Sequence, residues 1–424
     1  MKIRNKRQKQ SGSTTITVLS IVALLLVGSI STAVAGPREQ AKRMHDRLIG
    51  VPPTEATLTE MTNRIQSNET VGAALYAMET ANNPRASSFY NVTLKNFITP
   101  WTNEEQTVFA PLNDYTATVI GIIRDDDPEG VTPLDFRSIL TGDFVYVGTA
   151  ADLTPYSRTN NDHYEELEAN NVDLSNPDNL KSVTQASLGM AGSTTGASGE
   201  TDSAGVITTR AAGKAFFKAG TNRAMLRFTL MNHMCRDLEQ VNDITGIPDR
   251  IRQDVSRSPG GDSSLFLNSC IGCHAGMDPL AGAFAYYEWV ENEDGSNGQV
   301  VYSGDPSIGV FVQPKYHINR GNFEFGYITT DDSWENYWRK GPNRNLGWST
   351  GLTGKGKGAK TLGAEFANSE AFAQCQVEKV YRHVCLQDPI SNHNDGIESI
   401  TTAFRVDYNL KNVFAKTAAL CMGD

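Results

Sequence analysis

The sequence predicts a mostly α, multi-helical fold with minor β and one loop-rich module. Three observations carry this reading. Apolar residues recur at helical spacing near both ends of the chain, and the clearest amphipathic run covers residues 222–241. Only Phe144-Val145-Tyr146-Val147 stands out as a strand-like run.

In chain order, residues 36–67 read as helix broken at Pro52-Pro53, because proline lacks the amide donor and crowds the preceding turn. Residues 70–80 place Val71, Ala74, Leu75, Ala77 and Met78 at helical spacing. Residues 89–114 are aromatic and without period, so they are expected to be irregular. Residues 116–124 form an apolar run that fits either a helix or a buried strand. Residues 134–140 read as a short helix leading into the strand-like run. Residues 191–205, rich in Gly, Ser and Thr, are expected to be an exposed loop. Within 222–241, Ala224, Phe228, Met231, Cys235 and Leu238 fall on one stripe that should face the core, with His233 nearer the polar side. Pro259-Gly260-Gly261-Asp262 is a turn. Residues 291–363 show little periodicity and read as a loop-rich elaboration. Residues 369–384, 395–404 and 409–420 read as three closing helices. This divides the chain into 1–35, an N-terminal helical region 36–215, a central region 216–368 and a C-terminal helical module 369–424.

Residues 1–35 have the three parts of a secretory signal. Lys2, Arg4, Lys6, Arg7 and Lys9 form a basic start, residues 16–30 an apolar stretch, and Ala33-Val34-Ala35 a small-x-small cleavage pattern. The apolar stretch is short of the roughly 20 residues a spanning helix needs, so no stable membrane span is expected after cleavage. The expected location is periplasmic or extracellular. Cleavage removes five basic residues and no acidic ones, leaving 33 basic against 48 acidic, a net charge of −15. Such a chain is a poor partner for nucleic acid or anionic membranes, and any protein partner should be basic or neutral.

Cys270-Ile-Gly-Cys273-His274 is the one segment that points to a cofactor. C-x-x-C-H is the attachment pattern of haem c: two thiols a helical turn apart form thioethers to the porphyrin, and the adjoining histidine ligates iron. A zinc site would need further ligands, and no second C-x-x-C or H-x-x-x-H occurs. The expectation is one covalent haem c in region 216–368, with Cys270 and Cys273 as attachment residues and His274 as the proximal ligand.

Four cysteines remain: Cys235, Cys375, Cys385 and Cys421. In an oxidising compartment an even number suggests two disulfides. Cys375 and Cys385 share one expected helix about 15 Å apart and cannot pair with each other. The pairings left are Cys235–Cys375 with Cys385–Cys421, or Cys235–Cys385 with Cys375–Cys421. Buried free thiols are the alternative.

The order of several segments resembles an exported bacterial family with planctomycete-type cytochrome c domains. The likeness is carried by Asp135-Phe136-Arg137 with Asp143-Phe144-Val145-Tyr146-Val147, by Gly205-Val206-Ile207-Thr208-Thr209 with Gly220-Thr221-Asn222-Arg223, and by Ser369-Glu370-Ala371-Phe372-Ala373-x-Cys375. Its most specific part is Cys270-x-x-Cys273-His274-x-x-Met277-Asp278-Pro279-Leu280. Ala281 stands where that family usually has glycine. The resemblance spans residues 110–420 and implies a mostly helical haem c protein without implying a particular reaction.

For the sixth ligand, Met277 is too close to His274 to reach the opposite side of the iron. No methionine occurs between Met277 and Met422, whereas His317 follows a loop long enough to fold over the site. His317 is therefore the expected distal ligand, ahead of Met231 and Met234. Pro279 is either a simple turn proline or, with its neighbour, the group that fixes the ring orientation of His274. Trp334, Tyr337, Trp338 and Trp348 either pack the loop region or wall the haem.

One-electron transfer is the expected function, more an electron carrier than a catalyst, because no acidic or arginine constellation is visible beside the haem segment. A peroxidase- or oxygenase-type haem enzyme with an open distal site is the alternative, and a structural haem protein of an extracellular assembly is a third. Two weaker patterns carry no function. Residues 354–361 (GKGKGAKT) depart from a phosphate loop at Ala359, and Asp125, Asp127, Glu129 and Gly130 lack the glutamate that closes a calcium loop.

Overall fold

Three helices open the chain in the structure, a computed structural model that describes residues 35–125, 135–193, 201–218, 220–293, 295 and 297–423. They are α1 (Pro37–Ile49), α2 (Glu55–Gln66) and α3 (Thr70–Met78), with Pro52 and Pro53 between the first two as expected. The Thr54 hydroxyl caps α2 by accepting from the Thr57 amide at 3.2 Å. The signal-like segment, and Asp127, Glu129 and Gly130, lie outside the described residues.

Residues 89–102 are not irregular. They form a π turn (Phe89–Leu94), a short α-helical piece (Lys95–Ile98) and a 3₁₀ turn (Thr99–Thr102), with Phe89, Tyr90, Phe97 and Trp101 buried. Successive turns of different pitch rotate the buried face, which erases a 3.6-residue period from the sequence. The apolar run at 116–124 resolves to a helix, α4 (Asp114–Arg124), every residue of which is buried. A helix covered on all sides shows no amphipathic period, hence its resemblance to a strand. β1 (Phe144–Gly148) pairs antiparallel with β2 (Leu180–Thr184), and α5 (Asp162–Ala169) lies between them in sequence. Phe136–Ile139 is a 3₁₀ turn, where the sequence suggested a short helix.

Residues 194–200 lie outside the described residues, and the flank at 202–205 is buried, not exposed. Asp202 is held there because its carboxylate accepts the Lys360 amide at 3.1 Å, at the start of α9 (Gly358–Ala367). The phosphate-loop-like segment thus has its helix terminus occupied by the chain's own carboxylate.

After α6 (Arg210–Phe216), α7 (Arg223–Met234) stops seven residues short of the expected end. Its buried side chains include Met225, Leu226, Phe228, Leu230, Asn232, His233 and Met234, whereas Ala224, Met231, Cys235 and Leu238 are only half-buried. His233 is inside, not on a polar side: its Nε2 lies 3.0 Å from the Tyr115 hydroxyl, and burial holds its pKa well below the ordinary value. Asn232 likewise donates to Trp101 O at 2.9 Å. Polar side chains with buried partners are what an apolar stripe cannot register.

α8 (Ile271–Ala281) carries the C-x-x-C-H segment. Residues 287–302 form a hairpin of β3 (Tyr287–Glu291) and β4 (Gly298–Tyr302), and β5 (Ser333–Glu335) pairs with β6 (Lys355–Lys357). Between these lie 3₁₀ turns, so the expected loop-rich character holds apart from strands too short to show an alternation. α10 (Glu370–Cys385), α11 (Asn394–Asp407) and α12 (Leu410–Cys421) are the three closing helices. α12 packs on α3 and α10, and α10 packs on α7. The main core takes residues from regions 36–215, 216–368 and 369–424 alike. Among the described residues no helix is long and apolar enough to cross a membrane.

The cysteines pair as Cys235–Cys375 and Cys385–Cys421, the first of the two arrangements the sequence allowed. Cys235 caps α7 at φ 51°, a left-handed conformation that costs a non-glycine residue roughly 1–2 kcal/mol and that the cross-link to α10 holds in place. The 140-residue separation makes this bond worth about 5 kcal/mol in a chain-entropy account, with the 36-residue one nearer 4. A Cys235→Ser/Cys375→Ser variant should lose on the order of 3–5 kcal/mol in chemical denaturation, more than Cys385→Ser/Cys421→Ser.

Candidate functional site

The helix bearing Cys270, Cys273 and His274 starts upstream of α8. Asp262 caps it, accepting from the Ser264 amide at 2.8 Å, and a π turn (Phe266–Cys270) runs directly into Ile271. At ~100° per residue Cys270, Cys273 and His274 share about 100° of the helix circumference. All three are half-buried, while the rest of α8 is buried. One face of an otherwise enclosed helix is therefore open, and it presents the two thiols and the imidazole.

A strap at 236–250 lies along this helix. The Asp243 amide donates to Gly272 O at 3.0 Å, the Cys273 thiol faces Leu238 O at 3.6 Å, and Asn242 Nδ2 approaches the Cys273 sulfur at 3.5 Å. Burial pushes the Cys273 thiol pKa up. Glycine at 272 is a packing requirement, since a Cβ there would lie 2.3 Å from Asn242 Oδ1. One turn further along the same side, a Cβ at Gly276 would lie 2.0 Å from Trp338 Nε1. The strap and Trp338 thus pack along the glycine side of the helix, away from the face that carries the thiols and the imidazole.

Beneath the thiols a small cluster of Ile251, Val255, Phe266, Ile271 and Ala275 backs Cys270. Around it, large apolar side chains stay in solvent: Ile244 and Ile247 on the strap, Leu265 and Leu267 upstream, and Phe325 and Ile328 on a loop joined to residues 251–253.

His274 is tied down by a residue the sequence reasoning passed over. Its Nδ1 lies 3.2 and 3.3 Å from the two carboxylate oxygens of Asp278, one helical turn on. Asp278 is fully buried and receives Arg223 Nε at 2.7 Å, Arg223 Nη2 at 3.0 Å and the Arg252 amide at 3.2 Å. Arg252 Nη2 sits 3.5 Å from the same carboxylate and 3.1 Å from Thr221 Oγ1. Burial alone would raise the Asp278 pKa, but Arg252 and Arg223 together hold it well below the usual carboxylate range. Arg223 also forks onto Asp254, at 2.5 and 2.9 Å. The ring partner is thus the side chain next to Pro279. An i, i+4 His–Asp pair on a helix was a visible signal, whereas its arginines, 26 and 55 residues away, were not. An acidic and arginine constellation does stand beside the haem-like segment, contrary to the sequence-based expectation, and it lies on the Nδ1 side of His274.

Met277 and Met234 belong to the main core, in keeping with a packing role, and Met231 is half-buried against it. His317 ends the 3₁₀ turn Pro314–His317 and is half-exposed. Its neighbour Tyr316 donates to Ala281 O, at the end of α8, at 2.8 Å, and the Arg252 guanidinium stacks 4.9 Å above the Tyr316 ring. The loop after His317 is pinned to the same network: Asn322 Nδ2 donates to Asp254 O at 2.8 Å and the Phe323 amide to Gln253 O at 3.0 Å. Trp334 and Trp338 are core residues; Trp334 Nε1 donates to Thr361 at 2.8 Å and Trp348 Nε1 to Trp338 O at 3.0 Å.

The residues fit covalent haem. Both thiols are unpaired, share an open face with the imidazole, and exposed apolar side chains occur on the strap, on the segment just upstream and on the loop joined to residues 251–253. Among the described residues no three His, Cys, Asp or Glu converge as a metal cage. A porphyrin supplies four of the iron's ligands itself and needs no such cage. Comparison with protein-family models, with curated proteins and with solved structures finds no match to this chain.

Because Gly272 admits the strap, Gly272→Ala should displace Asn242 and lower stability by about 1–3 kcal/mol. Thiol-reactive labelling of unfolded-free protein lacking haem should also quicken at Cys273, as the strap lifts from its sulfur.

Proposed function

We propose that this chain is an exported mono-haem c-type cytochrome carrying out one-electron transfer, with Cys270 and Cys273 as the thioether residues and His274 as the proximal ligand. The observation that supports it best is the division of the six cysteines: four are paired as disulfides, and the two of C-x-x-C-H are unpaired on the open face of one helix beside His274. The bound group would supply a one-electron couple. The chain's residues bind it, orient the proximal imidazole and cover its apolar surface with Ile244, Ile247, Leu267 and Phe325.

The disulfides and the basic-apolar-small start of the sequence support an exported, periplasmic or extracellular location. The net negative charge favours a basic or neutral redox partner. The likeness to exported proteins with planctomycete-type cytochrome c domains points the same way. A haem enzyme of peroxidase or oxygenase type is the second reading, favoured by the carboxylate on His274, because such a partner makes an imidazole a stronger donor to iron.

Haem-dependent peroxidase staining after denaturing electrophoresis should follow the polypeptide, and Cys270→Ala/Cys273→Ala should abolish it. Retention of the stain in that variant would sink the assignment. For the sixth position we propose His317, whose following loop is bonded to the residues around Asp254. His317→Ala should turn a low-spin spectrum into a high-spin or ligand-exchangeable one. An unchanged spectrum moves the role to Met231, and rapid carbon monoxide binding by the unaltered protein favours the enzyme reading.

A further inference from the structure

We infer that Asp278 is the positioning residue for the proximal imidazole, and that its charge, secured by Arg223 and Arg252, sets the iron's reduction potential low. The inference rests on the reading of His274 as the iron ligand and adds what that reading leaves open: how the ring is held and which way the couple is biased.

Nδ1 of His274 faces both oxygens of Asp278, so Nε2 is the nitrogen left for iron. The pair is one turn apart on α8, and its orientation therefore follows from helix geometry. The carboxylate cannot swing away. Two guanidinium nitrogens of Arg223 and the Arg252 amide occupy it, and Asp278 itself has no exposed surface. Arg223 is fixed in turn by its fork onto Asp254, and Arg252 by Thr221 and the Tyr316 ring. The imidazole thus meets a rigid anionic acceptor in place of a neutral carbonyl.

An anionic partner draws the Nδ1 proton toward itself, enriches Nε2 in electron density and favours the more positive, ferric iron. A backbone carbonyl in the same place would do so far less. Arg223 and Arg252 keep the acceptor ionised by balancing its charge, and Asp254 balances Arg223. No covalent step or added reactant is involved; the effect is a bias on a one-electron equilibrium.

The test compares the haem-loaded, exported protein with Asp278→Asn, which keeps the shape of the acceptor and removes its charge. The reduction equilibrium should move about tenfold or more toward the ferrous form, ~59 mV more positive, and the ferrous iron–imidazole stretching band should fall in frequency. Asp254→Asn is the comparison, since it loosens the same network without touching His274, and should move both readouts by much less than Asp278→Asn does. Covalent haem with an unchanged potential and band in Asp278→Asn overturns the positioning role alone. Equal shifts in both variants also overturn it, in favour of general loosening. If Asp278→Asn fails to accumulate, the stretching band of the unaltered protein is read after photolysis of carbon monoxide. A band typical of a carboxylate-bonded imidazole supports the inference, and one typical of a carbonyl-bonded imidazole overturns it. Absence of covalent haem from the unaltered protein is a different result, and it defeats the proposed function itself.

Discussion

A carboxylate with no exposed surface, Asp278, is the constraint around which the haem-like region is arranged. Desolvating a lone carboxylate costs several kcal/mol, so the fold must bring cations to it, and it brings two from separate segments. Arg223 arrives from the first position of α7 and Arg252 from the chain that follows the strap. Each carries further contacts with it: Arg223 holds Asp254, and Arg252 holds Thr221 and lies over Tyr316, which reaches the end of α8. α7, α8, residues 251–254 and the turn at 314–317 are therefore fixed relative to one another through one buried charge. Removing a partner from such a network typically costs about 3–5 kcal/mol, because the charge left behind stays buried.

The strap adds a second constraint by a different physical route. It begins at Cys235, where α7 ends in a left-handed residue cross-linked to α10, and it runs along α8 as far as Gly272. The disulfide fixes where the strap starts, and Gly272 decides how near it comes. The result is a sorting of sulfurs by environment. Cys375, Cys385 and Cys421 are buried in the closing helices and their bonds staple α10 to the end of α7 and to α12, whereas Cys270 and Cys273 meet solvent. A covalent cofactor needs that second environment, since a thiol locked in the core cannot meet a porphyrin.

Much of this was legible in the sequence, and the parts that were not share a cause. The opening and closing helices read correctly because each buries one face and leaves a period of 3.6. α4 did not separate from a strand because it is buried all round, and residues 89–102 lost their period to mixed turn types. The C-x-x-C-H segment needs only local spacing, so Cys270, Cys273 and His274 stood out. His233 was placed on the wrong side because its burial depends on Tyr115, more than 100 residues away. Asp278 escaped notice for the same reason: its proximity to His274 is local, but what gives that proximity meaning is the pair of arginines that only the fold supplies.

The two faces of the proposed iron site then carry different information. The Nδ1 side of His274 is overdetermined, with Asp278 gripped by three donors, and its effect is the same in an electron carrier and in an enzyme. A strong proximal donor lowers the potential of a six-coordinate iron, and the same donor favours O–O cleavage when the sixth position is open. The choice between the readings therefore passes to the other face. Met234 and Met277 are committed to the core, so the loop from His317 to Phe325 is the element best connected to that decision. This loop is held by backbone and side-chain bonds to Gln253 and Asp254, the latter being the partner of Arg223. The network around Asp278 and the loop after His317 thus meet at Asp254, whose carboxylate holds Arg223 and whose carbonyl accepts from Asn322.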